Sequence, residues 1–451
     1  MAESEKLTLL SVEKRAVVGL ASVYGVRMLG LFLILPVFSL YARDIPGSTP
    51  MLIGLAIGVY GLTQACLQIP MGLVSDRVGR KPVILFGLLM MLVGSLVAAL
   101  ANTIEVIIIG RALQGCGAIA AATLALVGDL TRESVRSRAM AVVGMSIGLS
   151  FMLAMSLAPW LDSIIGVKGI FFLTAALSAI GMMLVIFLVP ASATMQSTTT
   201  IGSAFSKVLR NGQLLRLNFG IFSLHFLLTA DFVVLPLLLV DRLGLPIEQH
   251  AWVYAGCLLG SVILMVPFLI AAERKQRNKT LFIGALIVII ATHIVLAGNF
   301  SSVPLIVTTL LIFLAAFNLL EANLPAFVTR VAGSENRGAA TGVYSSCQFF
   351  GIFCGGTAGG WLYGEYGVSA VFIACAILTG LWLLVAFGMQ LPAKLDTKVI
   401  PVPSEKLNNI NQFTGKLAKL PGVKEVTMVE NNAHLRVDRQ VFDEDSLRLL
   451  V

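Results

Sequence analysis

Apolar residues in this chain come in runs of roughly 20, each bounded by a short cluster of charge, Gly, Pro or Asn. A helix needs about 20 residues to cross about 30 Å of hydrocarbon. Runs of that length fall near 16–41, 51–74, 82–101, 103–128, 138–160 and 169–190, and again near 214–240, 250–272, 280–298, 303–329, 337–363 and 367–391. Open strands would leave backbone groups unpaired in lipid, so the runs predict helices, numbered here as spans 1 to 12. After Pro392 the pattern shortens. A strand near 397–403, a helix at 405–420, strands at 422–430 and 433–439 around a turn at Asn431-Asn432, and a helix at 443–450 predict a small βαββα unit over 396–451.

Composition agrees with a lipid environment. Of 451 residues 57% are hydrophobic and 12% charged, and a mean hydropathy of +0.91 leaves too little polar surface for a water-soluble protein of this length. If the N-terminus is cytoplasmic, the cytoplasmic segments up to span 12 hold eighteen Lys and Arg, against Arg43, Lys168 and Arg242 on the other side. That asymmetry follows the positive-inside rule, places both termini in the cytoplasm, and accounts for the net charge of +8 without a nucleic-acid partner. The charged first 15 residues lead into a run too long for a signal-peptide core, so no cleaved signal is expected. All six cysteines (66, 116, 257, 347, 354 and 375) fall inside predicted spans, where they read as small packing residues rather than disulfides or metal ligands.

The chain repeats itself at an offset of about 200 residues. Leu35-Pro36 in span 1 meets Leu235-Pro236 in span 7, and Arg138 at the start of span 5 lies near the register of Arg337 at the start of span 11. Two six-span halves result, 1–190 and 214–392, joined by a Ser/Thr-rich segment, 191–213, whose composition predicts a flexible cytoplasmic linker. The copies are unequal. The 8–9 junction, Ala272 to Lys279, keeps positive charge but lacks the Gly and Asp of the 2–3 junction.

That 2–3 junction reads Gly72-Leu-Val-Ser-Asp76-Arg77-Val-Gly79-Arg80-Lys81. Its G-x-x-x-D-R-x-G-R-K pattern resembles the signature loop of the major facilitator superfamily. Gly72 permits close helix approach and Gly79 a tight turn. Asp76 is placed to cap the N-terminus of span 11 near Gly338–Ala340, a contact between halves that the helix dipole would stabilise by about 0.3 to 2 kcal/mol. The resemblance further implies that Arg80 pairs with Asp129, with Arg136 or Arg138 joining the network, so that the loop gates the cytoplasmic side. It also implies parallel halves around a substrate site near the midplane, and peripheral positions for spans 3, 6, 9 and 12. A solvated loop whose arginines only set topology is the plainer reading.

A second stretch, Arg111-Ala-Leu-Gln114-Gly-Cys-Gly117 in span 4, resembles the R-x-x-Q-G-x-G segment associated with proton coupling in drug/proton antiporters. Charges inside a bilayer are costly and mark partners or pathways. Here they divide by half, with Arg27 and Arg111 in the first and His225, Asp231 and Glu321 in the second. Arg27 and Arg111 either line a proton or substrate cavity or lock the first half by bonding helix carbonyls. His225 is a relay or a packing histidine, and Asp231, in the outer third of its span, is expected to be wet. Glu321, with no cation near it in sequence, is the best candidate proton carrier, while His293 is expected to pack. Tyr24, Phe32, Tyr60, Phe349 and Phe350 could line an apolar cavity or simply pack. One departure concerns span 5, where the Gly-Pro motif usual in such antiporters is replaced by Gly144, Gly148 and a displaced Pro159. Span 11 instead holds Gly351, Gly355, Gly356, Gly359 and Gly360, which favour close packing.

The C-terminal unit resembles ferredoxin-like domains attached to some members of this superfamily. It contains no cysteine, and from Lys394 its nine basic residues balance eight acidic ones, so neither soft-metal binding nor a polybasic membrane patch is expected. The fold class expected is thus an all-α polytopic protein with twelve helices in two halves, plus a small α+β ferredoxin-like domain. The function expected is proton-coupled transport of a small, partly apolar solute across a bacterial inner membrane, most readily efflux by antiport. No cofactor, metal or catalytic group is expected, and no phosphate loop or nucleophile with a base points to an enzyme. The transmembrane part is expected to be monomeric in the lipid bilayer, and the C-terminal unit to be regulatory or self-associating. A ligand sensor signalling through that unit is the competing class.

Overall fold

The computed structural model describes residues 9–190, 201–274, 277–390, 395–402, 410–429, 432–438 and 442–448. Two units separate, Met1–Met389 and Gln390–Val451. In the first, ten stretches are long and apolar enough to cross a membrane. One of them, Arg138–Phe187, is two spans divided at Gly166, and the helix Val303–Tyr366 continues past Gly333 as span 11, which completes the twelve. The large exposed side chains of these helices, such as Phe187, Trp252, Ile263 and Leu384, are apolar, as a lipid-facing surface requires.

Spans 1, 4 and 7 are irregular, for physical reasons visible in the sequence. Span 1 runs from Ser11 to Phe32 and resumes as Phe38–Arg43, because Pro36 has no N–H for the Phe32 carbonyl, which Leu35 N–H takes instead at 3.1 Å. In span 7, Gly212–Leu237, Pro236 frees the Phe232 carbonyl in the same way, and the helix widens into a π-turn at Leu238–Arg242. Span 4 is not the single helix expected. It breaks into Ile104–Gly115 and Ala120–Asp129, and in the turn between them Ile119 N–H takes the Gly117 carbonyl at 2.9 Å in place of a helical bond.

The duplication shows in the turns. Gly166 between spans 5 and 6 (φ 67°) and Gly367 between spans 11 and 12 (φ 80°) both adopt the left-handed conformation that side chains resist, each followed by Val. These turns lie at the face opposite the 2–3 loop. At the motif face, which carries that loop and Ser11, the copies diverge. Gly79 (φ 104°) ends span 2 (Pro50–Val78) so that span 3 (Arg80–Ala99) starts at once, whereas the corresponding Gln276 lies outside the described residues.

Span 11 sits between the halves and uses its glycines on two faces. A β-carbon at Gly356 would lie 2.6 Å from the Gly54 carbonyl oxygen and one at Gly360 would lie 2.3 Å from that of Pro50, so these residues meet span 2 of the other half. A β-carbon at Gly351 or Gly355 would lie 2.3 Å from the carbonyls of Phe222 or Phe226, so these meet span 7 of their own half. Only glycine allows such backbone approach.

Of the expected linker, residues 191–200 lie outside the described residues, and Ile201–Arg210 is a helix rather than a flexible strand of chain, packed against the long helix of spans 10 and 11. In the second unit, β1 (Leu395–Pro401), β2 (Val423–Val429) and β3 (Asn432–Asp438) form an antiparallel sheet in the order β1-β3-β2. The helix Ile410–Leu417 packs Phe413 and Leu417 onto Ile400, Leu435 and Val437, and a short helix Glu444–Arg448 adds Leu447. Asn432 pairs with Val429 as part of β3, so it is not a turn residue, and Asn431 lies outside the described residues.

Candidate functional site

The first half holds its two buried arginines without any carboxylate. Arg27, 1% exposed, donates from Nη2 to Tyr60 Oη (2.9 Å), Gln64 Oε1 (3.1 Å) and the Gly117 carbonyl (2.8 Å), the last exposed by the break in span 4. Its Nε and Nη1 are buried without a partner among the described residues. Arg111 donates to Gln114 Oε1 (2.7 Å) and to the Ala56 carbonyl of span 2 (3.3 Å), and its guanidinium lies 5.3 Å from the Tyr60 ring centre. Gln114 Nε2 continues to Ser95 Oγ at 2.8 Å, and Gln64 Nε2 to Gln68 Oε1 at 3.2 Å. The network ties spans 1 to 4 together through neutral acceptors. Arg27 is left with spare donors, whereas Arg111 makes the helix-carbonyl contacts of a locking residue.

The second half holds two carboxylate–imidazole pairs. Glu321 in span 10 lies 3.9 Å from His225 Nδ1 of span 7, and its side chain is 37% exposed. Gln348 Nε2 lies 2.8 Å from His225 Nε2; with the amide nitrogen donating there, Nε2 accepts and the ring proton belongs on Nδ1, which is buried without a hydrogen-bond partner among the described residues. Glu321 Oε2 has no hydrogen-bond partner among the described residues. Phe349, next to Gln348 in sequence on span 11, meets Tyr60 of span 2 edge-on at 6.1 Å across the junction of the halves, and Tyr60 Oη accepts from Arg27.

Asp231 is not wet. Burial to 3% exposure places it against His293, itself fully buried, with His293 Nε2 3.2 Å from Asp231 Oδ2. His293 therefore does more than pack, although Phe313 and Phe372 do cover its ring. Its Nδ1 lies 2.8 Å from the Ile289 carbonyl, an acceptor only, so Nδ1 carries a proton and the Nε2–Asp231 contact needs one more. The pair holds that proton between spans 7 and 9. Cys375 of span 12 completes a buried trio whose ligand-type atoms lie within 4.8 Å of one another.

At the motif face, Asp76 does not reach span 11. Its carboxylate pairs with Arg80 one turn on, Arg80 Nε lies 3.4 Å from Asp129 Oδ2, and Arg80 Nη1 donates to Ser75 Oγ at 2.7 Å. A β-carbon at Gly338, where Asp76 was expected to cap, would have nothing within 4 Å. Lys81 donates to the Val189 carbonyl at 2.7 Å, closing the end of span 6. Arg77, Arg136 and Arg138 are exposed, with Arg136 beside Gly128. Gly72 packs close to Ala121 of span 4. Glu13 receives Arg132 in a two-armed pair (2.9 and 3.0 Å) and the Leu10 N–H at 2.9 Å, fastening the start of span 1 to the 4–5 turn. All of these contacts stay within the first half.

Polar contacts between the halves occur at the opposite face. Arg43 Nη1 lies 3.1 Å from both Asp241 carboxylate oxygens, and Ser39 Oγ donates to the Phe232 carbonyl that Pro236 leaves free, at 3.4 Å. Together with the span 2–span 11 glycine contacts they close the halves on that side.

Sequence reading missed Gln348, the Gln64-Gln68 stripe and the pairings His293-Asp231, Glu13-Arg132 and Arg43-Asp241. Only Gln64 and Gln68 carried a local signal, two amides four residues apart in an apolar span.

The sequence profile of the Major Facilitator Superfamily matches residues 20–292 and 217–435. The chain is 42% identical over 434 residues to the inner membrane transport protein YajR of Escherichia coli strain K12, covering 95% of each chain. It is 25% identical over 390 residues to the multidrug resistance protein MdtH of E. coli strain SE11, covering 81% of this chain and 92% of that one. Among solved structures, a bacterial homolog of the human lysosomal transporter Spinster, in an inward-facing and occupied conformation, superposes with a TM-score of 0.66 at 12% identity, covering 84% of this chain and 97% of that one. The nucleoside transporter NupG superposes with a TM-score of 0.64 at 17% identity, covering 84% and 98%.

Proposed function

The chain belongs to the major facilitator superfamily, a family of membrane transporters, and from that premise we propose that it exports a small, partly apolar solute across the bacterial inner membrane in exchange for protons. The relatives' names, an inner membrane transport protein and a multidrug resistance protein, support the location and the direction. The excess of Lys and Arg at the motif face supports a cytoplasmic placement of that face and of both termini. On that orientation the halves are closed on the periplasmic side, through Arg43-Asp241 and the glycine contacts, and Glu321 exchanges its proton with the cytoplasm. The C-terminal unit, whose β1-β3-β2 order is that of a split βαβ motif, fits a ferredoxin-like domain with a regulatory role.

The observation that carries this reading is Glu321, a partly exposed carboxylate inside a span, 3.9 Å from the His225 ring and near Tyr344, whose Oε2 has no hydrogen-bond partner and which no Lys or Arg pairs among the described residues. Charge in such surroundings is costly unless a partner arrives. A substrate bearing a positive charge or hydrogen-bond donors supplies that partner, and reprotonation displaces it, which makes proton and substrate exclusive occupants. Arg27 offers its two spare donors to acceptor groups on the same substrate, and Arg111 and Gln114 hold its surroundings rigid. During closure of the cytoplasmic side, Asp76 leaves Arg80 for the N-terminus of span 11 while Asp129 keeps Arg80 paired. An energy change of a few kcal/mol is enough to reverse such populations.

The test is proton flux in everted vesicles carrying a pH-sensitive dye, challenged with cationic, neutral and anionic compounds. Compound-triggered proton release that disappears in Glu321→Gln is expected. Saturable binding without any flux would instead identify a sensor.

A further inference from the structure

A cleft of about 510 Å³ lies between spans 8, 9 and 10, lined by neither Arg27 nor Glu321. Its walls are apolar, with Leu264 and Phe268 from span 8, Leu281 and Val288 from span 9, and Ile312 and Leu319 from span 10. Gly284 forms part of the floor, where a β-carbon would meet nothing within 4 Å. From Thr280 to Val288 the cleft extends about 12 Å along the helix axis, at about 1.5 Å per residue. At its motif-face end stands Arg277, exposed, with no side-chain partner among the described residues.

The internal duplication makes that free cation informative. In the first copy, Arg80 at the 2–3 turn is neutralised within the protein by Asp76 and Asp129. Arg277 stands at the corresponding 8–9 turn. The end of span 10, which takes the place of Asp129, offers Arg330, stacked 5.8 Å from the Phe327 ring centre. The second copy has therefore kept the cation and lost the acid that span 4 supplies, while Glu273, in the place of Asp76, has a side chain outside the described residues. An apolar channel within the bilayer, headed at the interface by an exposed guanidinium with no partner among the described residues, matches one kind of occupant.

We propose that this cleft seats one anionic phospholipid, with an acyl chain between spans 8, 9 and 10 and its phosphate on Arg277. The lipid supplies from outside the negative charge that Asp129 of span 4 supplies in the first copy. Membrane-level basic sites of this kind favour anionic headgroups, by about fivefold for one basic side chain near the surface.

The test uses the purified full-length protein, with lipid retention read by native mass spectrometry after exposure to phosphatidylglycerol or phosphatidylcholine of matched chains. Wild type should retain phosphatidylglycerol about fivefold better, and Arg277→Gln should bring it to the phosphatidylcholine level. Gly284→Leu, which fills the cleft without meeting backbone, should reduce retention of both lipids while leaving the melting temperature unchanged. Val288→Phe serves in its place should Gly284→Leu fold poorly. A preference that survives Arg277→Gln would overturn the proposal. So would full retention in both cleft-filling variants, or displacement of the lipid by inorganic phosphate alone, because either would reduce the site to surface charge.

Discussion

Glu321-His225 and Asp231-His293 are both carboxylate–imidazole pairs in the second half, and they differ in spacing and in access. The first pair is loose, with 3.9 Å between the groups and a carboxylate 37% exposed. The second is tight, with 3.2 Å between groups that are 4% and 0% exposed. His293 is fixed by the Ile289 carbonyl, so its contact with Asp231 requires a trapped proton, which makes the pair a tie between spans 7 and 9. His225 is held by Gln348, and its Nδ1 and Glu321 Oε2 have no hydrogen-bond partner among the described residues, which under the proposed function leaves that carboxylate to exchange its proton. Under the proposed function the same pairing of groups serves two purposes, and access decides which.

The largest expected effect breaks the comparison on the side of the open pair. Glu321→Gln should abolish compound-driven proton flux, a loss of at least about tenfold, while its melting temperature in detergent stays near wild type. Asp231→Ala should do the reverse. Leaving His293 buried without its partner costs about 1 to 3 kcal/mol, so the protein should melt earlier, while flux per folded molecule remains measurable. Flux abolished in Asp231→Ala with unchanged melting would exchange the two roles.

Smaller effects are expected where the comparison extends to the gates. Gly356→Ala places a methyl group against the Gly54 carbonyl, whereas Gly355→Ala places one against Phe226. The first should favour separation of the halves at the periplasmic face, read as longer spin-label distances there, and the second should mainly lower stability. Asp76→Asn should shift those distances toward the state open at the motif face, because its capping of span 11 is weakened. Arg43→Gln should do least. An exposed pair contributes about 0.2 to 1 kcal/mol, which shifts the populations by no more than about fivefold.

How much of this was legible in the sequence depended on whether the information was local. Span positions, the duplication and the βαββα order follow from runs and spacings along the chain. The partners of intramembrane charges do not, since Asp231 and His293 lie 62 residues apart and His225 and Gln348 123 apart. Asp231 looked wet because its position along the span was known while its facing direction was not. The break in span 4 escaped notice because residues 116–119, although rich in small side chains, continue an apolar run, and only the Gly117 carbonyl's use by Arg27 shows its purpose. Asp76 lies in the last turn of span 2, and its partner depends on which face of the bundle is closed, a property of conformation that one sequence shares between states.

The most direct measurement of the central claim is infrared difference spectroscopy of the carboxyl C=O stretch in reconstituted protein, following transfer from H2O to D2O. It needs no knowledge of the substrate. The account predicts a protonated-carboxyl band that exchanges rapidly, titrates with bulk pH and vanishes in Glu321→Gln, while Asp231→Asn leaves it in place. A rapidly exchanging band that persists in Glu321→Gln and disappears in Asp231→Asn would contradict the assignment of the open pair as the proton carrier.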